Sequence, residues 1–98
     1  MSLSEATLTA SVGDTSVTLT PTEFDLLKVM ALKEGFVTTV DLLNDVWGPA
    51  YKSEHDYVRV YIRRLRAKLE SLGAPNAIES RPGLGYRLTA AAEPTVND

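Results

Sequence analysis

The feature that most constrains the fold is an amphipathic pattern between residues 54 and 72. Apolar side chains recur there every three or four residues, and this spacing places them on one side of an α-helix. They are Val58, Ile62, Leu65, Leu69 and Leu72. This side must pack against other elements, so the pattern predicts a long helix whose opposite side faces solvent.

The same segment concentrates the positive charge of the chain. Residues 59–68 (RVYIRRLRAK) contain five cationic residues and no acidic one. The whole chain has 10 Lys and Arg against 13 Asp and Glu, so the positions outside this segment carry a net charge of −8. A basic stripe on an otherwise acidic domain directs one face toward phosphates.

A charged stripe opposite an apolar one is most often only a solvated helix face. Here four of the five cations are Arg, whose planar group suits phosphate and guanine, and most of them have no acidic residue four positions away. Asp56, Val60 and Ala67 lie between the two rows of cations, and small side chains at the centre allow close approach to a groove. The layout is therefore typical of a helix that enters the major groove of DNA.

The flanking sequence predicts two further helices. Thr20-Pro21-Thr22-Glu23 forms a capping box with Pro at the first helical position, and Gly35 is expected to end that helix. Thr38 followed by Asp41 begins a second helix, which ends at Gly48-Pro49. Ser53 is expected to cap the long third helix, which ends at Gly73.

Short strands are predicted on both sides of the helices. Residues 7–19 are rich in Thr and Val around Gly13-Asp14, which favours a hairpin or two short strands. Residues 78–80 and 86–88 favour a second hairpin. With 98 residues the chain has room for one domain, expected at 4–89; residues 1–3 are set aside as a possible expression remnant, and 90–98 are expected to be a disordered tail.

Several classes of site are not expected. The chain has no Cys, and His55 is its only histidine, so we expect no disulfide, no metal site, no cofactor and no enzymatic activity. Trp47 is expected to be a core residue. Tyr57 and Tyr61 remain open between a phosphate contact through the hydroxyl and a place at the edge of the core. No apolar run approaches the length of about 20 residues that a membrane helix needs, and no signal peptide is visible.

Four strings resemble one family of proteins. They are LTPTEFDLL (19–27), DLLNDVWG (41–48), VYIRRLRAKLE (60–70) and GLGYRL (83–88). In this order they closely resemble the OmpR/PhoB family, the winged-helix effector domains of two-component response regulators, over residues 7–89. Trp-Gly-Pro followed by YVRVY (57–61) is most similar to the KdpE branch, which is associated with potassium-transport genes.

The resemblance implies an α+β winged helix with short N-terminal antiparallel strands, three helices and a C-terminal β-hairpin wing. It implies sequence-specific binding of double-stranded DNA that regulates transcription, with helix 54–71 in the major groove and the wing near the adjacent minor groove. Arg64 would reach bases, and Arg63 and Arg66 would hold phosphates. Together with the residue pattern, this predicts DNA contacts by Arg59, Tyr61, Arg63, Arg64, Arg66, Lys68 and Arg81. The alternative is a winged helix that serves only as a protein–protein interaction module.

Further partners are implied by the family alone. Its members can contact RNA polymerase through the loop that here comprises Gly48, Pro49, Ala50, Tyr51, Lys52 and Ser53. The chain would bind direct-repeat sites as a dimer in the cytoplasm, with no membrane contact. A sensor kinase would act in a phosphorelay through a receiver domain, which is absent from this chain, so we expect an effector fragment of a longer protein.

Two departures from the family pattern concern the sheet and the wing. The N-terminal stretch is short for the family's four-stranded sheet, so a strand is expected to be missing or cut off. Pro82 stands where the family often has Arg, and the arginine comes one position earlier, at Arg81. Pro82 favours an extended Arg81. That side chain either contacts the DNA backbone at the groove edge, the outcome we favour, or faces away.

Overall fold

The computed structural model describes residues 1–89 and 95–97. In chain order its elements are β1 (Ser2–Ser4), β2 (Thr9–Val12), β3 (Thr15–Thr18), α1 (Pro21–Leu32), α2 (Thr39–Leu42), a π-helical turn (Leu43–Trp47), a 3-10 turn (Pro49–Tyr51), α3 (His55–Ser71), β4 (Ile78–Arg81), β5 (Gly85–Leu88) and β6 (Thr95–Asn97). This is the predicted α+β arrangement of strands, three helices and a hairpin. No helix among these residues is long and apolar enough to cross a membrane.

Side-chain caps begin the first two helices, as the sequence predicts. The Thr20 hydroxyl accepts a hydrogen bond from the Glu23 amide at 3.2 Å, and the Glu23 carboxylate accepts one from the Thr20 amide at 2.8 Å. The Thr38 hydroxyl accepts from the Asp41 amide at 3.1 Å. These bonds satisfy amides that have no partner inside the helix. Gly35 adopts a positive φ of 74°, but it lies in the turn after the helix, because Lys33 already ends α1 in an extended conformation.

The predicted cap at Ser53 is wrong. Glu54 occupies the N-cap position of α3, and no side chain caps that helix. The Glu54 amide instead donates to the Tyr51 carbonyl at 2.9 Å, so the 3-10 turn leads almost directly into α3. At the other end, Gly73 has a φ of 80° and the Ala74 amide donates to Leu69, which closes α3 where predicted.

The N-terminal sheet contains two segments that the sequence analysis left out. The strand order is β3-β2-β1-β6, with β1 antiparallel to β2 and parallel to β6. Residues 2–4 therefore belong to the domain, and the predicted disordered tail is wrong for residues 95–97, while 90–94 and 98 lie outside the described residues. The expectation of a missing strand is wrong, because the sheet has four strands and the fourth, β6, is formed by residues 95–97.

A row of apolar side chains across this sheet explains its pairing. Val17 is opposite Ala10, Ala10 is opposite Leu3, and Leu3 is opposite Val96. Leu3 and Ala10 are fully buried, and Val17 and Val96 pack against the same core. Cross-strand neighbours lie on the same face of a sheet, so these four side chains form one apolar surface. This surface packs against the core that the helices form.

The helices enclose the rest of the core. The fully buried side chains include Phe24 and Leu27 of α1, Leu42 at the end of α2 and Leu65 of α3. The second hairpin docks on this core through Val37, whose backbone exchanges hydrogen bonds of 2.7 and 2.9 Å with Tyr86. This hairpin, formed by β4 and β5, is the predicted wing, and it is therefore attached to the segment that joins α1 to α2.

Gly85 is required at this junction. Its φ is 108°, and a Cβ there would lie 2.0 Å from the Val37 carbonyl oxygen, which is backbone and cannot move aside. Gly83 also has a positive φ, of 82°, but a Cβ there would meet open space.

We therefore expect Gly85→Ala to destabilise the domain by about 2–5 kcal/mol, from left-handed strain and a steric clash together. Gly83→Ala is the matched control and should cost about 1–2 kcal/mol from strain alone. Urea unfolding of the two variants measures the difference. Equal losses would mean that the wing is not packed closely against Val37.

Candidate nucleic-acid interface

Helix α3 separates apolar and cationic side chains as the sequence predicts. Val58, Ile62, Leu65 and Leu69 are buried. Val60 and Ala67 are exposed on the opposite side. Because these side chains are short, they project little from the middle of the outer surface of the helix. The side of α3 that faces solvent can therefore approach another surface closely.

Three arginines border the exposed centre of the helix, and together we call them the basic face. They are Arg59, Arg63 and Arg64. Arg59 approaches Asp56 at 3.7 Å, but both side chains are highly exposed, and such a pair contributes little. Within residues 1–89 and 95–97, no acidic side chain lies within ion-pair distance of Arg63 or Arg64. The basic face therefore keeps its charge available for an external anion.

Arg64 differs from the other two because it contacts an aromatic ring. Its guanidinium carbon lies 5.0 Å from the centre of the Tyr61 ring. Tyr61 is half-buried and packs edge-on against Trp47, with ring centres 5.4 Å apart. Trp47 is itself partly buried against the core, as expected. A contact between the Tyr61 hydroxyl and a phosphate stays a prediction.

The wing turn has the geometry that its sequence favours. The Leu84 amide donates to the Arg81 carbonyl at 3.0 Å, and Gly83 has a φ of 82°. Pro82 and Gly83 thus occupy the two central positions of a type II turn. Arg81 is the last residue of β4, and its side chain is 61% exposed.

A charge network on the wing was not anticipated. Glu79 accepts hydrogen bonds from Arg87 at 2.7 Å and from Arg81 at 3.2 Å. The Arg87 guanidinium also lies 4.6 Å from the centre of the Phe36 ring. The hydrogen bonds from Arg87 and then Arg81 lower the pKa of Glu79 despite an opposing desolvation effect. The hairpin register places Glu79 directly opposite Arg87, so this register would have predicted the ion pair.

A cleft separates the wing from the helices. It has a volume of about 360 Å³ and is lined by the wing turn 81–85, by Thr38 and Val40 near the start of α2, and by His55 at the start of α3. The wing turn and the start of α3 therefore both border the same open cleft.

Comparison with known proteins identifies this arrangement. The family described as "Transcriptional regulatory protein, C terminal" matches residues 14–88. The chain belongs to this family. Its members are OmpR/PhoB-type DNA-binding domains of transcriptional regulators, as the four sequence strings indicate.

The relatives also support the KdpE resemblance. The transcriptional regulatory protein KdpE of Mycobacterium tuberculosis (strain H37Rv) is 45% identical over 76 residues, covering 76% of this chain and 34% of that protein. The KDP operon transcriptional regulatory protein KdpE of Escherichia coli (strain K12) is 44% identical over 77 residues, with coverage of 76% and 34%. The chain thus matches about a third of the length of these relatives.

A solved structure supports the fold. The C-terminal DNA-binding domain of the RstA protein from Klebsiella pneumoniae superimposes with a TM-score of 0.72 at 26% identity, covering 90% of this chain and 82% of that one. The fold is accordingly a winged helix, with the hairpin of β4 and β5 as its wing.

Two of the predicted contact residues on α3 already have partners inside the domain. Arg66 is half-buried and donates to the Ile78 carbonyl at 3.3 Å, which ties α3 to the base of the wing. Lys68 donates to the Glu23 carboxylate at 2.6 Å and to the Thr18 carbonyl at 3.2 Å. Both residues flank the apolar stripe rather than the exposed centre of the helix.

The Lys68–Glu23 pair joins α3 to the capping box of α1. Glu23 is only 2% exposed, the one charged residue among those described that is buried. Burial alone would raise the pKa of its carboxyl, but the hydrogen bond from Lys68 and those from Thr20 outweigh burial and lower the pKa below the ordinary value of 4.5. Glu23 is therefore ionised at neutral pH and binds Lys68.

The loop of residues 48–53 holds its aromatic side chain near α3. Tyr51 is 41% exposed, and its ring centre is 6.1 Å from that of Tyr57. Tyr57 in turn lies 6.0 Å from Trp47. The loop is thus ordered by the 3-10 turn and by aromatic contacts, while much of the Tyr51 surface remains accessible.

The lowered pKa of Glu23 predicts a pH effect on stability. The unfolded state binds this proton more readily than the folded state, so the contribution is present above the unfolded pKa of about 4.5 and is lost as pH falls through the folded pKa. Glu23→Gln should lower the free energy of unfolding by about 1–3 kcal/mol at neutral pH.

Urea unfolding of both proteins at neutral and at acidic pH measures this effect. The difference between them should shrink as the pH falls from the pKa of the unfolded carboxyl through the lower folded pKa, because the unfolded state binds the proton first and the folded carboxylate binds it last. A difference that stays constant with pH would show that Glu23 does not change its proton affinity on folding.

Proposed function

We propose that this domain binds double-stranded DNA in a sequence-specific manner and regulates transcription as the effector domain of a two-component response regulator. The recognition helix α3 lies in the major groove, and the wing lies near the adjacent minor groove. The observation that carries the proposal is the basic face, whose three arginines are all exposed. They lie beside the short side chains of Val60 and Ala67, which allow the helix to approach the groove closely.

The three arginines have different roles in this proposal. Arg64 reads a base edge, because its guanidinium can donate two hydrogen bonds to guanine. Arg59 and Arg63 hold phosphates and fix the position of the helix. Direct DNA contacts by Tyr61, Arg66 and Lys68 stay predictions, and the internal partners of Arg66 and Lys68 favour a role in holding α3 in place.

Arg81 contacts the DNA backbone at the edge of the minor groove. Its exposed side chain stands at the root of the type II turn, and its hydrogen bond to Glu79 is on the surface, where an ion pair contributes little and exchanges readily. The open cleft between the wing and the start of α3 leaves room for a strand of the backbone to pass. The contact adds affinity without reading sequence.

The wider partners in this proposal are those that the family resemblance implies. Two copies bind direct-repeat sites as a dimer, the loop of residues 48–53 contacts RNA polymerase, and a sensor kinase acts through a receiver domain in the complete cytoplasmic protein. The exposed ring of Tyr51 supports the loop assignment, because aromatic side chains are enriched at protein interfaces.

A module that docks only a protein partner is the competing proposal. Titration of duplex DNA at several salt concentrations separates the two, because each neutralised phosphate lowers the log of the affinity by about 0.9 per log unit of salt. We expect a slope of several units for this domain. A slope near zero would contradict DNA binding and favour the protein partner.

Arg63 and Arg64 provide a matched pair of variants for the proposed division of roles. After selection of preferred sites from random duplexes, Arg64→Ala should cost about 1–3 kcal/mol on the selected site and relax the preference at one base pair. Arg63→Ala should weaken selected and random duplexes alike and lower the salt slope by about 0.9. An Arg64→Ala variant that weakens both kinds of duplex equally would refute the base-reading role.

A further inference from the structure

The side chain of Arg64 needs a fixed direction if it is to distinguish one base from another. An exposed arginine samples many rotamers, and ordering one of them on binding opposes affinity and blurs selectivity. Within the described residues, Arg64 has no acidic side chain at ion-pair distance that would restrain it. Its neighbour on the helix surface is the ring of Tyr61, three positions earlier.

The contact between these two side chains is suited to hold the guanidinium. A cation 5.0 Å from the ring centre is attracted by the negative face of the ring, and the planar guanidinium can stack on that face while keeping its donors free. A carboxylate would occupy those donors. The aromatic contact therefore restrains Arg64 without using the groups that would bind a base.

The ring of Tyr61 is itself held in place by Trp47. Its ring meets Trp47 edge-on, with an interplanar angle of 64° and a centre distance of 5.4 Å, and it is half-buried. Trp47 ends the π-helical turn and packs against the core. A chain of contacts thus runs from the core through Trp47 and Tyr61 to Arg64, and Arg63 has no such support among the described aromatic contacts.

We infer that Tyr61 is a positioning residue that directs Arg64 toward its base, with Trp47 as the support of the Tyr61 ring. This inference rests on the proposed base-reading role of Arg64. The ring carries the effect and the hydroxyl is not needed for it, so the role is separate from any phosphate contact of Tyr61. The consequence is discrimination between bases rather than general affinity for DNA.

Four substitutions distinguish positioning from a merely structural role. Tyr61→Phe keeps the ring and removes the hydroxyl. Tyr61→Leu removes the ring, and Tyr61→Met is a second variant without the ring should the leucine variant fail to fold. Tyr57→Leu is the matched control, because Tyr57 also packs on Trp47 and is 40% exposed, but the cation–π contact of Arg64 among the described residues is with Tyr61 and not with Tyr57.

The first measurement needs no DNA. In nuclear magnetic resonance spectra of the free protein, the side-chain protons of Arg64 should show a ring-current shift in the wild type, in Tyr61→Phe and in Tyr57→Leu, and should lose it in Tyr61→Leu. Unchanged Arg64 resonances in Tyr61→Leu would overturn the inference, whatever the DNA results.

The second measurement is the ratio of affinities for the selected site and for a site changed at the base pair where Arg64→Ala loses its preference. Tyr61→Leu should lower this ratio about 3- to 10-fold, while Tyr61→Phe and Tyr57→Leu retain it. Equal losses in Tyr57→Leu and Tyr61→Leu would indicate a general structural effect and overturn the inference.

The two proposals fail in different ways. If Arg64→Ala alters base preference and Tyr61→Leu does not, the positioning role is refuted and the proposed function stands. If Arg64→Ala alters no base preference, the base-reading role itself is refuted, and the positioning inference falls with it.

Discussion

The burial of one side of α3 is the constraint on which the rest of the structure depends. Val58, Ile62, Leu65 and Leu69 are almost completely buried, and each such side chain contributes about 1.5–3 kcal/mol relative to exposure. Rotation of the helix about its axis would exchange these side chains for arginines in the core, at a cost far larger than any surface interaction could offset. The core therefore determines which cations face outward.

Not every cation in the basic segment serves the same purpose. Of the five between residues 59 and 68, Arg66 and Lys68 flank the buried stripe and bond to the wing base and to Glu23. The remaining three form the basic face. The local charge count predicted from sequence thus overstates the charge available to a ligand, because part of it stabilises the position of α3 against α1 and β4.

Local signals predicted most of the fold. The capping box of α1, the Thr38 cap of α2, the period of α3 and the Pro-Gly turn of the wing each involve residues close in sequence, so a single string contains both partners of the interaction. The errors at Ser53 and at 95–97 arose where distant or competing backbone bonds decided the outcome. The pairing of β6 with β1 joins the two ends of the chain, and a three-residue strand has no periodicity to reveal it.

The same distinction applies to the site. The exposed positions of Arg59, Arg63 and Arg64 follow from the helical period, whereas the Lys68–Glu23 bond spans 45 positions and depends on how α1 packs on α3. The contact of Arg64 with Tyr61 is local, but its support by Trp47 depends on the packing of the π-helical turn against α3.

This packing connects two parts of the interface that the sequence presents as separate. Trp47 contacts both Tyr61, which touches Arg64, and Tyr57, which touches Tyr51 in the loop of residues 48–53. The loop and the proposed base-reading arginine therefore share one aromatic neighbour, because Trp47 contacts both Tyr57 and Tyr61. Only Tyr61 continues these contacts to Arg64, so removal of the Tyr57 ring leaves the contacts of Trp47 with Tyr61 and of Tyr61 with Arg64 in place.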